Sequence, residues 1–330
     1  MNLKNPLFKS NYHNCSQLVT AAMLSRHKIP VEQIWKQAGL IFGNTDNELI
    51  LMSSFRILAE DIYKYNGIKL EKNSYPYGDY EEYVKKVFEE NILDTTFAAS
   101  LDVFELPYCH YYQREHEYHI VEVIKAEEDD LIICDHFYHY YGKLSKAQFK
   151  KAAYSVYKNT ARQENVYKFI KEVNFKNEVD IVSVLDENLK AMEGHTIQLE
   201  FEDTMVGLQS IPHMKEHFMQ IFKEDFNTAR PVLDGYFTGL KDIANSRYHL
   251  ATFLKSFDDK EESKALIESY QDAYQCWAVL ANLIARMFVS KRLDGMEERV
   301  SKRFDKAYEL EKIVVKELKN YLHVLSTSHL

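Results

Sequence analysis

The spacing of apolar residues changes once along this chain, and that change limits the folds open to it. From about residue 181 onward, apolar residues recur at three- and four-residue steps, as in ARPVLDGYFTGLKDIANSRYHLATFLKSF. This period is typical of amphipathic helices that bury one face. Between residues 95 and 144 the apolar residues instead alternate over short spans, which is typical of strands. The sequence therefore predicts an α+β fold in which a sheet-containing domain is followed by an all-α helical domain.

The boundary between the two domains is predicted near Asn174–Asp180. We assign residues 1–178 to the first domain and residues 179–330 to a helical bundle or lid. A chain of 330 residues is long enough for each of two domains to bury its own core. Pro231 and Gly235 are expected to interrupt the helices of the second domain.

The elements of the first domain are predicted from the same patterns. Residues 15–40 are expected to form two short helices separated by Pro30, and residues 46–66 to form a helix that ends at Asn66-Gly67. Another helix is expected over 79–92. The remaining predicted elements are strands at 95–108, 119–126, 130–136 and 138–144, followed by a helix at 144–155.

Composition and charge exclude several classes of partner. The formal net charge of −9 argues against nucleic acid, because phosphate binding needs clustered Lys and Arg. No apolar run approaches the roughly 20 residues that span a bilayer, so we expect no membrane association. The first residues lack the apolar core of a signal peptide, and the four cysteines have no paired spacing. These features predict a cytoplasmic protein with free thiols.

Cys15 stands where the polar stretch NYHN turns into the apolar run CSQLVTAAML. This places it at the predicted start of a helix, where unpaired backbone N–H groups and the helix dipole lower the pKa of a thiol. A lone cysteine at a helix start is more often structural than catalytic. A catalytic thiol needs a base that accepts its proton and a third group that orients the base.

His119 and Asp135 are predicted to complete such a set. His119 opens the strand HIVEVIKA, and Asp135 ends the strand DLIICD. If the two strands form a hairpin across the acidic turn between them, their antiparallel return brings the imidazole and the carboxylate to one edge of the sheet. Cys15 would face that edge from the first helix.

Four further residues are candidates for contacts with the substrate or with an oxyanion. The Cys15 backbone N–H can donate to an oxyanion, and Asn11 and Asn14 supply the nearest upstream side-chain amides. Asp102 precedes a Leu-Pro-Tyr turn and is a candidate for substrate contact or for a bond inside the fold. Tyr108 begins a tyrosine-rich run that is expected to line an acyl or amine pocket or to pack on the helical domain.

A metal site is not predicted. His136 and His139 follow Asp135 closely, but they would point to opposite faces of a strand, and a zinc site needs a tighter ligand set. Asp102 and Glu105 also have the spacing of a carboxylate pair, although nothing else in the sequence supports sugar hydrolysis.

These motifs resemble the butirosin biosynthesis protein H family. The resemblance rests on the cysteine that opens a helix near the N-terminus and on the stretches DVFELPYCHYYQREHEYHIVEV and IICDHFYHYYGKLSKAQFKKA. Residues 207–218, 246–256 and 270–284 are similar to elements of its helical region. Lys9 stands where the related peptidases have a glutamine, and VEVIKAEED replaces a glycine-containing segment.

The resemblance implies a papain-like cysteine-peptidase-type domain related to the bacteriocin-leader peptidases, and it implies acyl transfer. An acyl or peptidyl carrier protein would donate an acyl group from its thioester to a small amine acceptor in non-ribosomal peptide or polyketide biosynthesis. Cys15 matches the nucleophile, His119 the base and Asp135 the residue that orients the base. No cofactor is implied for this chain, because the phosphopantetheine belongs to the carrier protein.

Other functions remain open from the sequence. A cysteine peptidase, amidase or thioester hydrolase would use the same three residues with water as acceptor, and a non-catalytic binding protein would leave Cys15 inert. The helical domain leaves a homodimer open. A basic cluster that is either a docking surface for an acidic carrier protein or a solvated helix face comprises Lys291, Arg292, Arg299, Lys302, Arg303 and Lys306.

Overall fold

The chain folds into two compact units with antiparallel sheets and a helical C-terminal region, which confirms the mixed α+β class. The first unit comprises Met1–Val31 and Ile62–Asn177, and the second comprises Glu32–Asp61 and Glu178–Leu330. The predicted boundaries assigned residues 32–61 to the first domain, whereas the structure groups them with the second unit. The computed structural model describes residues 7–44, 49–89, 95–176, 178–195, 204–257 and 261–327.

Helices and strands are numbered separately in chain order. The helices are α1 (Cys15–Arg26), α2 (Leu58–Asn66), α3 (Tyr80–Glu89), α4 (Lys146–Asn159), α5 (Ile181–Met192), α6 (Ser210–Gln220), α7 (Phe226–Phe257), α8 (Glu261–Ser290) and α9 (Glu297–Thr327). The strands are β1 (Ile41–Asn44), β2 (Leu49–Met52), β3 (Ile68–Pro76), β4 (Phe97–Asp102), β5 (Tyr118–Ala126), β6 (Asp130–Asp135), β7 (Tyr140–Ser145), β8 (Glu164–Val173) and β9 (Thr204–Val206).

The first unit is built on a six-stranded antiparallel sheet in the order β3-β8-β4-β5-β6-β7. Helices α3 and α4 contribute Tyr83 and Phe149 to a core that also contains Val121 and Ile133 of the sheet. Helix α1 contacts β5. The central strands are buried on both faces, because all six residues of β4 and residues 119–123 of β5 are buried.

Strands β5, β6 and β7 lie within two residues of their predicted bounds. The predicted strand at 95–108 ends at Asp102, because Asp102 Oδ1 accepts the Phe104 backbone N–H at 3.0 Å and a 3₁₀ turn follows. The predicted helix at 79–92 corresponds to α3, and residues 90–94 lie outside the described residues. Strands β3 and β8 were not predicted.

The second unit contains a three-stranded sheet in the order β2-β1-β9, so the prediction of an all-α domain was wrong. β9 pairs with β1, and this pairing gives residues 32–61 their place in the second unit. The predicted helix at 46–66 was wrong over β2, which is a strand. The run LILM is too short for its period to distinguish a strand from a helix. Residues 45–48 lie outside the described residues.

A second correction concerns the helix predicted after Pro30, where the structure has only a 3₁₀ turn at Val31–Gln33. The backbone beyond the turn is held by side chains in place of helical hydrogen bonds. Gln37 Oε1 accepts the backbone N–H groups of Phe55 and Arg56 at 2.9 and 2.8 Å, and Asn188 Oδ1 accepts that of Ala38 at 2.7 Å. Such long-range partners leave no local pattern in the sequence.

Pro231 and Gly235 do not interrupt the helices, because both lie inside α7. A Cβ on Gly235 would approach Leu49, and a Cβ on Gly239 would lie 2.5 Å from Leu51 Cγ. The two glycines therefore allow α7 to pack closely on β2. No helix in the described part of the chain is long and apolar enough to cross a membrane.

Candidate active site

Cys15 is the first residue of α1, and Asn14 determines where that helix begins. Asn14 Oδ1 accepts the backbone N–H of Gln17 at 2.9 Å, and Gln17 Oε1 accepts the backbone N–H of Asn14 at 2.9 Å. This reciprocal pair is a capping box. It holds the partly buried Cys15 at the positive end of the helix dipole.

The strands β5 and β6 bring His119 and Asp135 together. They pair in antiparallel fashion, and the Glu127 backbone N–H donates to the Asp130 carbonyl at 2.8 Å across the acidic turn. His119 Nε2 donates to Asp135 Oδ2 at 2.8 Å, and both side chains are almost completely buried. The predicted hairpin therefore places the imidazole and the carboxylate in contact.

Asp135 accepts four hydrogen bonds, two on each carboxylate oxygen. Oδ2 accepts His119 Nε2–H and the Tyr108 hydroxyl at 3.1 Å, while Oδ1 accepts the backbone N–H groups of Phe137 and Tyr138 at 3.1 and 3.0 Å. Burial raises the pKa of Asp135, but the charge and hydrogen bond of His119, with the Tyr138 N–H and the Tyr108 hydroxyl, outweigh burial and lower it. Because an ionised carboxylate only accepts, His119 Nε2 must carry a proton.

Because Nε2 bonds Asp135, the other ring nitrogen of His119, Nδ1, is the one that can form the hydrogen bond with Cys15. Burial raises the pKa of the Cys15 thiol, but the hydrogen bond and charge of His119 and the backbone N–H groups of Ile120 and Ser16 outweigh burial and lower it. Burial also lowers the pKa of His119, whereas Asp135 and Cys15 raise it to about 10. Opposite shifts of this kind favour a thiolate–imidazolium pair. In chymotrypsin-type serine proteases the two ring nitrogens have the reverse assignment.

Tyr108, a candidate for substrate contact, lies against the His119–Asp135 pair and forms a hydrogen bond with Asp135. Its hydroxyl donates to Asp135, and its ring stacks on Tyr140 with centroids 3.9 Å apart and planes at 1°. The rings of Tyr138 and Phe137 lie 5.0 and 5.9 Å from that of His119. The aromatic residues after Asp135 therefore surround the imidazole, a role that the sequence analysis did not assign to them.

Asp102, the other acidic candidate, is completely buried and its acceptor positions are occupied. It accepts hydrogen bonds from the backbone N–H groups of Phe104 and Glu117, from the Ser155 hydroxyl at 2.6 Å and from His116 Nδ1 at 2.7 Å. These bonds hold the turn after β4. They match the bond inside the fold, which the sequence favoured over a substrate contact.

Asn11 and Asn14, the oxyanion candidates, are both exposed. The carbonyl oxygen of the Asn14 side chain is occupied by the capping box, so only its amide nitrogen is left to donate. The backbone N–H groups of Ser16 and Ile120, by contrast, are directed at the Cys15 sulfur. The Ile120 N–H follows the base in sequence, and we did not predict it.

His136, which follows Asp135 in sequence, is held by hydrogen bonds within the fold. His136 Nδ1 accepts the Phe8 backbone N–H at 3.0 Å, and its Nε2 donates to Glu122 Oε2 at 2.9 Å. Arg26 at the end of α1 forms two bonds of 2.6 Å with the same Glu122. Within the described ranges, no group of three or more His, Cys, Asp or Glu side chains is arranged to hold a metal ion.

Lys168 lies next to the candidate site but was not predicted as a site residue. It lies in β8, it is 8% exposed, and its Nζ donates to Ser16 Oγ at 2.9 Å. The available signal was a lysine between Val166 and Ile170, which share its face of the strand and are buried. Lysine is rarely buried without a partner.

No protein-family model matches the chain, and a search of curated proteins found no significant match.

Proposed function

We propose that the protein is a cysteine acyltransferase that moves an (amino)acyl or peptidyl group from a carrier-protein thioester to an amine. The observation that carries the proposal is the arrangement of Cys15, His119 and Asp135, in which a thiol of lowered pKa faces an imidazole oriented by a buried carboxylate. The resemblance to the butirosin biosynthesis protein H family points to a papain-like fold and to transfer in antibiotic biosynthesis. The free cysteines support a cytoplasmic setting.

In the first half of the reaction, the Cys15 thiolate attacks the thioester carbonyl and forms a new C–S bond. The tetrahedral intermediate collapses and breaks the bond to the carrier sulfur, which leaves as a thiol after taking the proton from His119 Nδ1. The backbone N–H of Cys15 is a candidate donor to the oxyanion. The products are the acyl-enzyme and the free carrier protein.

In the second half, the amine attacks the acyl-enzyme carbonyl while the neutral His119 accepts its proton at Nδ1. Collapse of the intermediate forms the amide bond, breaks the C–S bond and returns Cys15 as a thiolate beside the imidazolium. Asp135 keeps the proton on Nε2 throughout, so that Nδ1 is always the nitrogen that gains and loses a proton. These steps need no metal or diffusible cofactor.

An acyl thioester of N-acetylcysteamine tests the nucleophile. We expect mass spectrometry of the full-length protein to show one added acyl group on Cys15 and none on a Cys15→Ala variant. Cys109→Ala is the matched control, because Cys109 is a buried thiol of the same unit. Acylation of the Cys15→Ala variant at the wild-type rate would overturn the proposal.

The same acyl-enzyme also distinguishes transfer from hydrolysis. When a primary amine is added, an acyltransferase forms the amide faster than the free acid, whereas a peptidase, amidase or thioester hydrolase releases the acid even with the amine present. A non-catalytic protein forms no acyl-enzyme. Its Cys15 would react with iodoacetamide only as the pH approaches the ordinary thiol pKa of about 8.5.

A further inference from the structure

Lys168 is a buried cation of the first unit. Its Nζ donates to Ser16 Oγ at 2.9 Å and approaches Thr20 Oγ1 at 3.4 Å. Among the described residues, no carboxylate forms an ion pair with it. The two hydroxyls orient the ammonium but carry no charge, so they leave its positive charge uncompensated.

The two hydroxyls belong to the helix that begins with Cys15. Ser16 and Thr20 are one turn apart on α1, and the Thr20 hydroxyl donates to the Ser16 carbonyl at 2.8 Å. Ser16 follows Cys15 directly, and its backbone N–H is directed at the Cys15 sulfur. Lys168 is therefore attached to the same helical turn as the nucleophile.

The charged groups around this turn come from three strands. Cys15 interacts electrostatically with His119 and Tyr118 of β5 and with Lys168 of β8. Lys168 also interacts with Lys72 of β3, its partner in the sheet register. Lys72 repels the ammonium, so the Cys15 thiolate is the group whose charge favours it. Burial lowers the pKa of Lys168 and Lys72 lowers it further, while Cys15 raises it, with a net value of about 8.

We propose that Lys168 is a positioning residue of the candidate active site. It supplies a positive charge, in addition to that of the His119 imidazolium, that stabilises the Cys15 thiolate. His119 exchanges a proton with the reacting atoms, whereas Lys168 is held by Ser16 and Thr20 and exchanges none with them. Its ammonium is charged at pH values below its pKa of about 8. The inference rests on the proposed function only in assuming that Cys15 reacts as a thiolate.

The interaction has a reciprocal consequence. If Lys168 lowers the pKa of Cys15, then the Cys15 thiolate must raise the pKa of Lys168 by the same amount. Acylation removes the negative charge of the sulfur and leaves the buried ammonium without compensation. The cation therefore favours the states in which the site is negatively charged, which are the thiolate and the oxyanion.

Alkylation of Cys15 by iodoacetamide over a range of pH measures the first effect. We expect Lys168→Met to raise the pKa of Cys15 by about one unit, which slows alkylation about tenfold at pH values below the wild-type pKa. Lys168→Arg keeps the charge and should shift the profile much less. Lys171→Met is the matched control, because Lys171 lies on the same strand, is exposed and pairs with Glu71 at 2.6 Å. A Lys168→Met profile that coincides with the wild type would overturn the proposal.

A second measurement leaves Lys168 in place, so it holds even if Lys168→Met does not fold. NMR of ¹³Cε-labelled lysine follows the titration of Lys168 in the wild-type protein and in Cys15→Ala. We expect the pKa of Lys168 to fall in Cys15→Ala, and an unchanged titration would contradict the coupling. Both measurements are independent of acyl transfer, so a protein that forms no acyl-enzyme would refute the proposed function without deciding the role of Lys168.

Discussion

Asp135 holds His119 with one carboxylate oxygen and holds the backbone of the turn that follows it with the other. The orientation of the base is therefore coupled to the conformation of that turn. A carboxylate that accepts on both oxygens cannot rotate without losing bonds, so the imidazole is held in one tautomer.

We expect Asp135→Asn to lower the acylation rate almost as far as Asp135→Ala, by about 10²- to 10⁴-fold. Asparagine has one side-chain oxygen, and if that oxygen keeps the two backbone N–H groups, its amide nitrogen faces His119. Nε2 must then accept a hydrogen bond from the amide, so the ring proton moves to Nδ1. Nδ1 is the nitrogen that should accept the thiol proton, and in this tautomer it cannot. Acylation rates and melting temperatures of the two variants test this. An Asn variant within tenfold of the wild type would contradict the assigned tautomer.

Tyr108→Phe should slow acylation roughly tenfold, because a hydrogen bond to a charged group contributes about 1.5–3 kcal/mol and Asp135 keeps its three other bonds. The ring would still stack on Tyr140. Tyr140→Phe is the control, since its hydroxyl donates to the Lys143 carbonyl and does not contact Asp135. Equal losses in the two variants would show that the hydrogen bond to Asp135 is not the cause of the effect.

Glu122→Gln should destabilise the first unit by about 3–5 kcal/mol at pH 7, because it leaves the buried Arg26 without its carboxylate. Urea unfolding measures this free energy. Glu127→Gln is the control, since Glu127 pairs with Lys143 at the exposed surface and its loss should change little. A Glu122→Gln protein as stable as the wild type would show that the pair is dispensable.

The stabilisation by Glu122 should depend on pH in a defined direction. Burial raises the pKa of Glu122, but Arg26 and His136 outweigh burial and lower it below its unfolded value of about 4.3. The contribution is therefore fully present above that unfolded value and is lost as the pH falls through the folded pKa. We expect the wild-type protein to lose more stability on acidification below about pH 4 than Glu122→Gln does. Unfolding curves at several acidic pH values compare the two.

Gly239→Ala should destabilise the second unit by about 1–3 kcal/mol, although alanine is favoured over glycine inside most helices. The added Cβ would lie 2.5 Å from Leu51 Cγ and 2.6 Å from Leu51 Cβ, which the backbone of β2 fixes. In Gly235→Ala the nearest atom is the terminal Leu49 Cδ2 at 3.0 Å, which can rotate away. Melting temperatures should fall for Gly239→Ala only. An increase in both variants would contradict the close packing.

The contact between His119 and Asp135 follows from local features of the sequence, because two apolar strands with an acidic turn between them form a hairpin. A polar cap likewise predicts that Cys15 opens α1. The approach of Cys15 to His119 depends on the long-range packing of α1 on β5, which short-range rules do not specify. Local features could not show what Tyr108 and Asp102 contact in the folded protein. Asp102 precedes the irregular segment between β4 and β5, and Tyr108 lies within it. Only the folded segment shows that Tyr108 reaches Asp135 while Asp102 is enclosed.

The position of Lys168 and the fold of residues 32–61 depend on long-range pairing. Lys168 reaches the nucleophile because β8 lies between β3 and β4, an order that no local pattern specifies. In the same way, β2 is a strand because β1 and α7 cover it. Where a segment's partners lie far along the chain, its own apolar spacing does not identify its structure.

The pairing of β1 with β9 also has a consequence for synthesis on the ribosome. β1 and β2 are translated early, whereas β9 and α7 follow roughly 150–200 residues later. At about 5–20 residues per second, the apolar strands wait on the order of 10–40 s for the partners that cover them. During that interval their unpaired edges are open to association with other nascent chains. We therefore expect β1 and β2 to be the strands of the second unit most open to such association during translation.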